Sequence, residues 1–427
     1  MPAAAPAMVL LLLLAACSGA GDPVDGAGSS GTIQVVLFGD AEEVGGYRDL
    51  ADAFSAANPD LAVTITPVAT QDDLMARLTT SFAGGQPPDV FLLNFRRYGQ
   101  FAAQGVIEEA QPYLDDSEVL DEGDISPTAL DAFRFDGSTL TCVPQNLSSL
   151  VVYYNVDAFA AAGLPLPEAG WTWQQFLAAA QALTDPAADR YGLGMRPQLI
   201  RLAPFVWSAG GELVDDEEDP RQLTLGDGPA REALDWWLDL SLVHGVVPPD
   251  AQELSEDSES RFIRGRLGMY LNSRVAVPTL RQIDGFEWDV APLPVAPGGQ
   301  PASILHSDAY CMSAGTGREA QAWRFVEFAM GVEGQTILAE SGRTVPSRTD
   351  VARSPVFLEP DLPPRSAQVF LDAEAHLRVT PRTGSWSRVE KEADSLLAEV
   401  YYGRVDREAG IDRLLDEVQA LFAAAGS

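Results

Sequence analysis

Basic residues are scarce in this chain. Of its 427 residues, 28 are Lys or Arg against 62 Asp or Glu, a formal net charge of -34. A field of that sign repels nucleic acid and anionic head groups, so no nucleic-acid partner is expected. Histidine and cysteine are equally rare, three of each. Neither CxxC nor HxxxH spacing occurs, which leaves no basis for a metal site. A Gly-rich phosphate loop, a GxSxG elbow and an HExxH helix are also missing, and no cofactor is implied. Carboxylates are abundant, but no acid pair sits in a distinctive motif of the kind glycoside hydrolysis needs. A carbohydrate-active enzyme is therefore only the weaker alternative. What is present is a globular composition, 46% hydrophobic and 21% charged. The length exceeds one hydrophobic core and suits two lobes.

Beyond the N-terminus no segment reaches the ~18 apolar residues of a membrane-spanning helix. The N-terminus itself has a short apolar run, Met8 to Ala16, ending in small residues as a secretory signal does. Leu14-Ala15-Ala16-Cys17 looks like a bacterial lipobox, in which the Cys17 thiol is lipidated and becomes the new N-terminus. Residues 1–17 then read as a lipoprotein signal peptide and 18–31, rich in Gly and Ser, as a flexible tether. One departure is plain: no Lys or Arg precedes the apolar run. The expected location is the extracytoplasmic face of the cell membrane. Cys142 and Cys311 remain in the folded body, as a disulfide or as two buried thiols.

The chain then alternates strand and helix. Thr32 to Phe38 is a β-rich run followed by Gly39-Asp40, and Tyr47 to Ala57 has helical apolar spacing up to Asn58-Pro59. Ala62 to Thr66 and Asp89 to Leu93 read as strands, and Asp72 to Ala83 as a helix. Further on, Leu150 to Tyr154, Phe286 to Val290 and Ala309 to Ser313 read as strands. Helices are expected over Trp173 to Thr184, Ala230 to Val243, Arg318 to Glu340 and Arg388 to Ala425. Continuous apolar strands alternating with helices argue for an α/β protein with mostly parallel sheets covered on both faces. Ligands of such sheets sit at the C-terminal strand ends.

Several ordered motifs carry a resemblance. They include Leu50-Ala51-Asp52-Ala53-Phe54 with Asn58-Pro59-Asp60, Gly84-Gly85-Gln86-Pro87-Pro88-Asp89-Val90, and Gln104-Gly105-Val106-Ile107. Val143-Pro144 before Tyr153-Tyr154-Asn155, Gly170-Trp171-Thr172-Trp173 and Trp207-Ser208-Ala209-Gly210-Gly211 follow. Gly265-Arg266-Leu267-Gly268-Met269 and Ala339 to Pro346 complete the series. Together they resemble the family 1 extracellular solute-binding proteins, the maltose-binding-protein-like carbohydrate receptors of bacterial ABC importers. The resemblance implies a two-lobed, type II periplasmic-binding-protein fold, each lobe a mostly parallel sheet flanked by helices, with the cleft at a three-strand hinge. Lobe one is expected at 32–141 and 305–342, lobe two at 145–290 and 347–427. The crossings fall near 142–145, 288–310 and 343–347. On this layout Cys142 and Cys311 lie on neighbouring hinge strands, a placement that allows a disulfide and equally two free thiols.

The resemblance also implies the partners: a carbohydrate ligand, the permease subunits of an importer, and the membrane through Cys17. The protein is expected to be a monomer. A binding lobe serving a sensor system is a second alternative. Sugar recognition needs flat aromatic faces and planar side chains that exchange paired hydrogen bonds with hydroxyls. Trp386, in the Gly/Ser-rich stretch Thr383 to Ser385, matches an aromatic cleft position of the family; Trp207 is the second stacking candidate. Trp236 and Trp237 sit mid-helix and are expected to pack. The polar candidates are strand-end and crossing residues: Asp40 and Glu42; Asn94, Arg96 and Arg97; Gln145, Asn146 and Ser148. Asn272 and Arg274 follow Met269-Tyr270-Leu271, and His306, Asp308, Tyr310 and Arg343 lie at the later crossings. The acidic candidates balance the arginines, which favours a neutral oligosaccharide.

Overall fold

A computed structural model describes residues 31–39 and 41–425; Cys17, the apolar run, the tether and Asp40 lie outside the described residues. In chain order the strands are β1 (Gly31–Phe38), β2 (Leu61–Val68), β3 (Val90–Asn94), β4 (Ile107–Glu108), β5 (Val143–Pro144), β6 (Ser148–Ser149) and β7 (Val151–Asn155). They continue with β8 (Tyr191–Gly194), β9 (Leu267–Asn272), β10 (Trp288–Ala291), β11 (Ser303–His306), β12 (Asp308–Ser313) and β13 (Leu377–Arg378). The first lobe is built on the order β2-β1-β3-β12-β4, with β5 also pairing β12. The second is built on β10-β7-β9-β8, and a small sheet, β13-β11-β6, lies where the chain passes between them.

The first three strands each lead into a helix: α1 (Ala41–Ala57), α2 (Gln71–Ala83) and α3 (Phe95–Ala102). Thr70 starts α2 by accepting from the Asp73 amide at 3.1 Å, and Leu74 and Leu78, one turn apart, are its buried contacts. Asn94 plays the same capping part for α3, accepting from the Arg96 amide at 3.2 Å. In the second sheet, side chains alternate between two cores. Tyr153, Tyr270 and Trp288 pack on the face shared with the first lobe, and Val152, Tyr154, Met269 and Leu271 on the other.

The strand directions correct one expectation. β1 pairs parallel with β2 and β3, but β12 runs antiparallel to β3, and β7 runs antiparallel to both β9 and β10. Only β8 and β9 pair in parallel in the second sheet. The sheets are therefore mixed. The reason is topological: β7 and β12 enter their sheets directly from the passage between lobes, so each starts where its neighbours end. Composition does not reveal this, because both kinds of strand are buried on both faces.

Two helix expectations also change. α1 starts at Ala41, six residues before Tyr47, and the long helix expected over Arg318 to Glu340 is two, Glu319–Met330 and Val332–Glu340, divided at the extended Gly331. Likewise the C-terminal helical region is two helices, Trp386–Tyr401 and Arg407–Ala425. Among the described residues no helix is long and apolar enough to cross a membrane.

Segments that pass between the lobes lie side by side. The Gln145 amide donates to Asp308 O and the Leu147 amide to Val345 O, both at 2.9 Å. Side chains brace the same bundle: Ser347 Oγ donates to Pro144 O and Ser307 Oγ to Asn146 O, both at 2.6 Å. Cys142 and Cys311 are joined as a disulfide with a Cα–Cα distance of 4.5 Å. It ties the start of the first passage to β12.

Candidate ligand-binding site

At the C-terminal ends of β1 and β3, bounded by the passages between lobes, lies a cavity of about 180 Å³. At ~30 Å³ per water that is room for one small polar molecule in this conformation. Seven of the sixteen expected residues line it: Asn94, Arg96, Asn146, Ser148, His306, Asp308 and Arg343. The first lobe supplies Asn94 from the end of β3 and Arg96 from the first turn of α3. The passages supply Asn146 and Ser148, His306 and Asp308, and Arg343.

Amide and carboxylate groups interlock in its wall. Asp308 accepts from Asn94 Nδ2 at 3.1 Å and Asn146 Nδ2 at 3.4 Å, while its own amide donates to Asn146 Oδ1 at 2.9 Å. Burial raises the Asp308 carboxyl above its usual range, opposed by those two amides. Burial pushes the His306 imidazole well below 6.5, helped by the charges of Arg96 and Arg201, so the ring is neutral, and its Nε2 has no partner among the described residues. Arg343 pairs with Glu43 at 2.9 Å. Arg96 bridges across to Glu390 of the helix Trp386–Tyr401, and Arg97 Nη1 donates to Ser387 Oγ of the same helix at 2.7 Å. Burial works against the Arg96 charge, but Glu390 more than offsets it. Gly99 allows this approach, because a Cβ there would meet Arg382 O at 2.3 Å.

The other expected residues lie elsewhere. Trp386 is no loop plate: it opens a helix, is fully buried, and packs in the second lobe's core. Trp207, 6% exposed, is covered by the Arg378 guanidinium 4.9 Å from its ring. Gln145 points away and donates to Tyr47 OH at 3.0 Å, and Tyr310 is buried within the first core. Arg274 is a brace: it donates to Gly342 O at 2.8 Å and lies over Phe357 and Phe370. Asn272 stands behind the wall, donating to Tyr270 OH at 2.7 Å. Arg97 borders a different, open groove of about 1180 Å³, whose lining holds no buried polar side chain. The smaller cavity, with its buried polar groups at strand ends, is the better candidate. Glu42 belongs to α1, and its side chain is outside the described residues.

Sequence reasoning missed Glu43, Gln71, Ser273 and Thr344, which also line the cavity. Gln71 could have been found: it follows β2, and the strand-end rule was applied only to β1 and β3. Among the described residues no group of three or more His, Cys, Asp or Glu is placed to hold a metal ion.

Asp394, one turn beyond Glu390, accepts from the Leu199 amide at 2.7 Å. Burial, then the Glu390 charge, pushes its carboxyl up to about 7 from 3.8. The folded state then holds a proton that the unfolded state releases between those values, so this group's contribution is lost as pH rises from about 4 through 7. His306 acts oppositely, costing stability as pH falls below 6.5. Asp394→Asn, which keeps His306, should make the Tm of the unliganded protein rise more, or fall less, than the parent's as pH goes from about 4 to about 7. Superimposable Tm–pH curves for the two proteins would refute this.

Comparison with known proteins supplies the lineage. The profile of the family described as "Bacterial extracellular solute-binding protein" matches residues 40–336. A lipoprotein of Streptomyces antibioticus is 25% identical over 367 residues, covering 82% of this chain and 77% of its own. An ABC substrate-binding protein of Listeria monocytogenes, solved with cycloalternan, superimposes with a TM-score of 0.83 at 23% identity, covering 92% of this chain and 99% of that one. UgpB of Mycobacterium tuberculosis, solved with glycerophosphocholine, gives 0.79 at 22% identity, with 92% and 99% covered. With most of the chain matched and the two-lobed fold shared, the chain belongs to the bacterial extracellular solute-binding proteins.

Proposed function

We propose that this protein is the receptor of an ABC-type importer: it captures a carbohydrate in the interlobe cavity and delivers it to the membrane permease by lobe closure, tethered through a lipid on Cys17. The observation that carries this reading is the Asn94–Asp308–Asn146 cluster. Planar amides and a carboxylate, fixed by one another, present the mixed donors and acceptors that vicinal hydroxyls require. Neutral His306 and Ser148 add polar groups to the same lining. Among the solved relatives, the one bound to cycloalternan, a cyclic oligosaccharide, supports a carbohydrate ligand, while the one bound to glycerophosphocholine shows that this fold also takes other polar solutes.

A ligand that touches both lobes stabilises the closed form over the open one, and closure is the signal a permease can read. The site has no separately motivated acid pair or nucleophile, so a binding role fits it better than catalysis. A carbohydrate panel in a thermal-shift assay should produce hits. At a hundred times Kd, linkage adds about 2.7 kcal/mol to stability. The hit should also reduce the radius of gyration in X-ray scattering. A panel of mono- and oligosaccharides that leaves both Tm and scattering unchanged would overturn the reading.

A further inference from the structure

We propose that Glu390 sets the length of the ligand: it closes the cavity toward the outer groove and limits the solute to a single sugar ring. The proposal rests on the receptor reading above and adds to it the size class of the carbohydrate. Arg96 lines the cavity, and Arg97 lines the groove of about 1180 Å³. One carboxylate oxygen, Glu390 Oε1, meets both, pairing with Arg96 Nη1 and lying 3.8 Å from Arg97 Nη2. The Glu390 side chain is 1% exposed and lines neither hollow, so it stands in the wall between them. Ser387, one turn earlier on its helix, lines the groove and accepts from Arg97 Nη1 at 2.7 Å.

This wall joins the lobes. The arginines belong to α3 of the first lobe, and Glu390 to the helix Trp386–Tyr401, which packs in the second lobe's core. Lys391, next to Glu390, reaches Asp72 of α2 at 3.5 Å along the groove. A saccharide running from the cavity into the groove would have to part a buried carboxylate from its arginines. Breaking a buried ion pair without replacing it is strongly unfavourable, and a single ring avoids the cost. The volume agrees: about 180 Å³, at ~30 Å³ per water, is about six waters of space, one hexose-sized ring and not two. So does the lining. Half-buried Phe38, at the end of β1, is the one carbocyclic ring among the described residues there, so one sugar face finds an aromatic plate and a second finds none. Charged lining residues come as two of each sign, Arg96 and Arg343 with Glu43 and Asp308, which suits a neutral ring.

The test is calorimetric titration of the full mature chain and its Glu390→Ala and Glu390→Gln variants with length series: glucose, maltose and maltotriose; galactose and lactose; mannose and mannobiose; xylose and xylobiose. Expected is that at least one single ring binds the parent, and that its longer partner binds about tenfold or more weakly. Glu390→Ala, which takes the carboxylate out of the wall, should bring the longer partner to within about threefold of the single ring. Glu390→Gln, of the same length, should keep the preference. Should Glu390→Ala fail to fold, Glu390→Asp takes its place: it keeps the buried charge, is one carbon shorter, and should narrow the preference in the same direction. A merely structural Glu390 would lower every affinity alike and leave the ratio between lengths unchanged. That unchanged ratio, or longer sugars binding the parent as tightly as single rings, overturns this proposal and leaves the receptor reading standing. A panel in which no sugar of any length binds overturns both.

Discussion

Replacing Trp386 with alanine should destabilise the unliganded protein by about 3–5 kcal/mol, the range found when a large aromatic leaves a packed core. The indole is fully buried and shares a core with Val389, Ala393 and Leu397 along its own helix. A stacking plate on a cleft wall would behave differently, losing ligand affinity while the free protein kept its Tm. Denaturant titration of the ligand-free variant separates the two. A midpoint unchanged from that of the parent would show that the ring does not hold the core together. Core loss here should reach the cleft, because Glu390, which holds Arg96, is one turn further along the same helix.

Removing the disulfide, as the double variant Cys142→Ser and Cys311→Ser, should cost a comparable amount. The bond closes a loop with a sequence separation of 169. Chain entropy for a loop that long gives about 5 kcal/mol, and measured losses for such bonds run about 2–5. Strand pairing at the joint is short, β5 meeting β12 at only two positions, Ala309↔Pro144 and Tyr310↔Val143, beside the hydrogen bonds that brace the passages. Guanidinium unfolding of the parent with and without reductant, beside the double variant, measures the effect. The reduced parent and the variant should share one lowered midpoint; three coincident curves would show the bond to be thermodynamically idle.

These two effects fall on residues that the linear chain presented very differently. The motifs placed Cys142 and Cys311 on neighbouring strands and left the bond open; the structure joins them. Trp386 misled, because Thr383-Gly384-Ser385 reads as a loop and the helix was expected to start at Arg388. The signal was present: Trp386, Val389, Ala393, Leu396 and Val400 follow one helical stripe, all buried. At α1 the opposite held. Its first turn, Ala41-Glu42-Glu43, carries no apolar periodicity, and Gly45-Gly46 argues against a helix, so Glu43 was overlooked. In the first passage, neighbours part ways as extended backbone requires: Asn146 and Ser148 face the cavity, while Gln145 turns to Tyr47.

Local sequence determined the strands, most of the helices and the strand ends where polar groups gather, because apolar period and turn residues act over a few positions. Only the tertiary structure decided which charges meet. Arg96 and Glu390 stand 294 residues apart, and Asn94 and Asp308 are 214 apart. Ion pairing and burial depend on distance in space, which the order of residues does not encode.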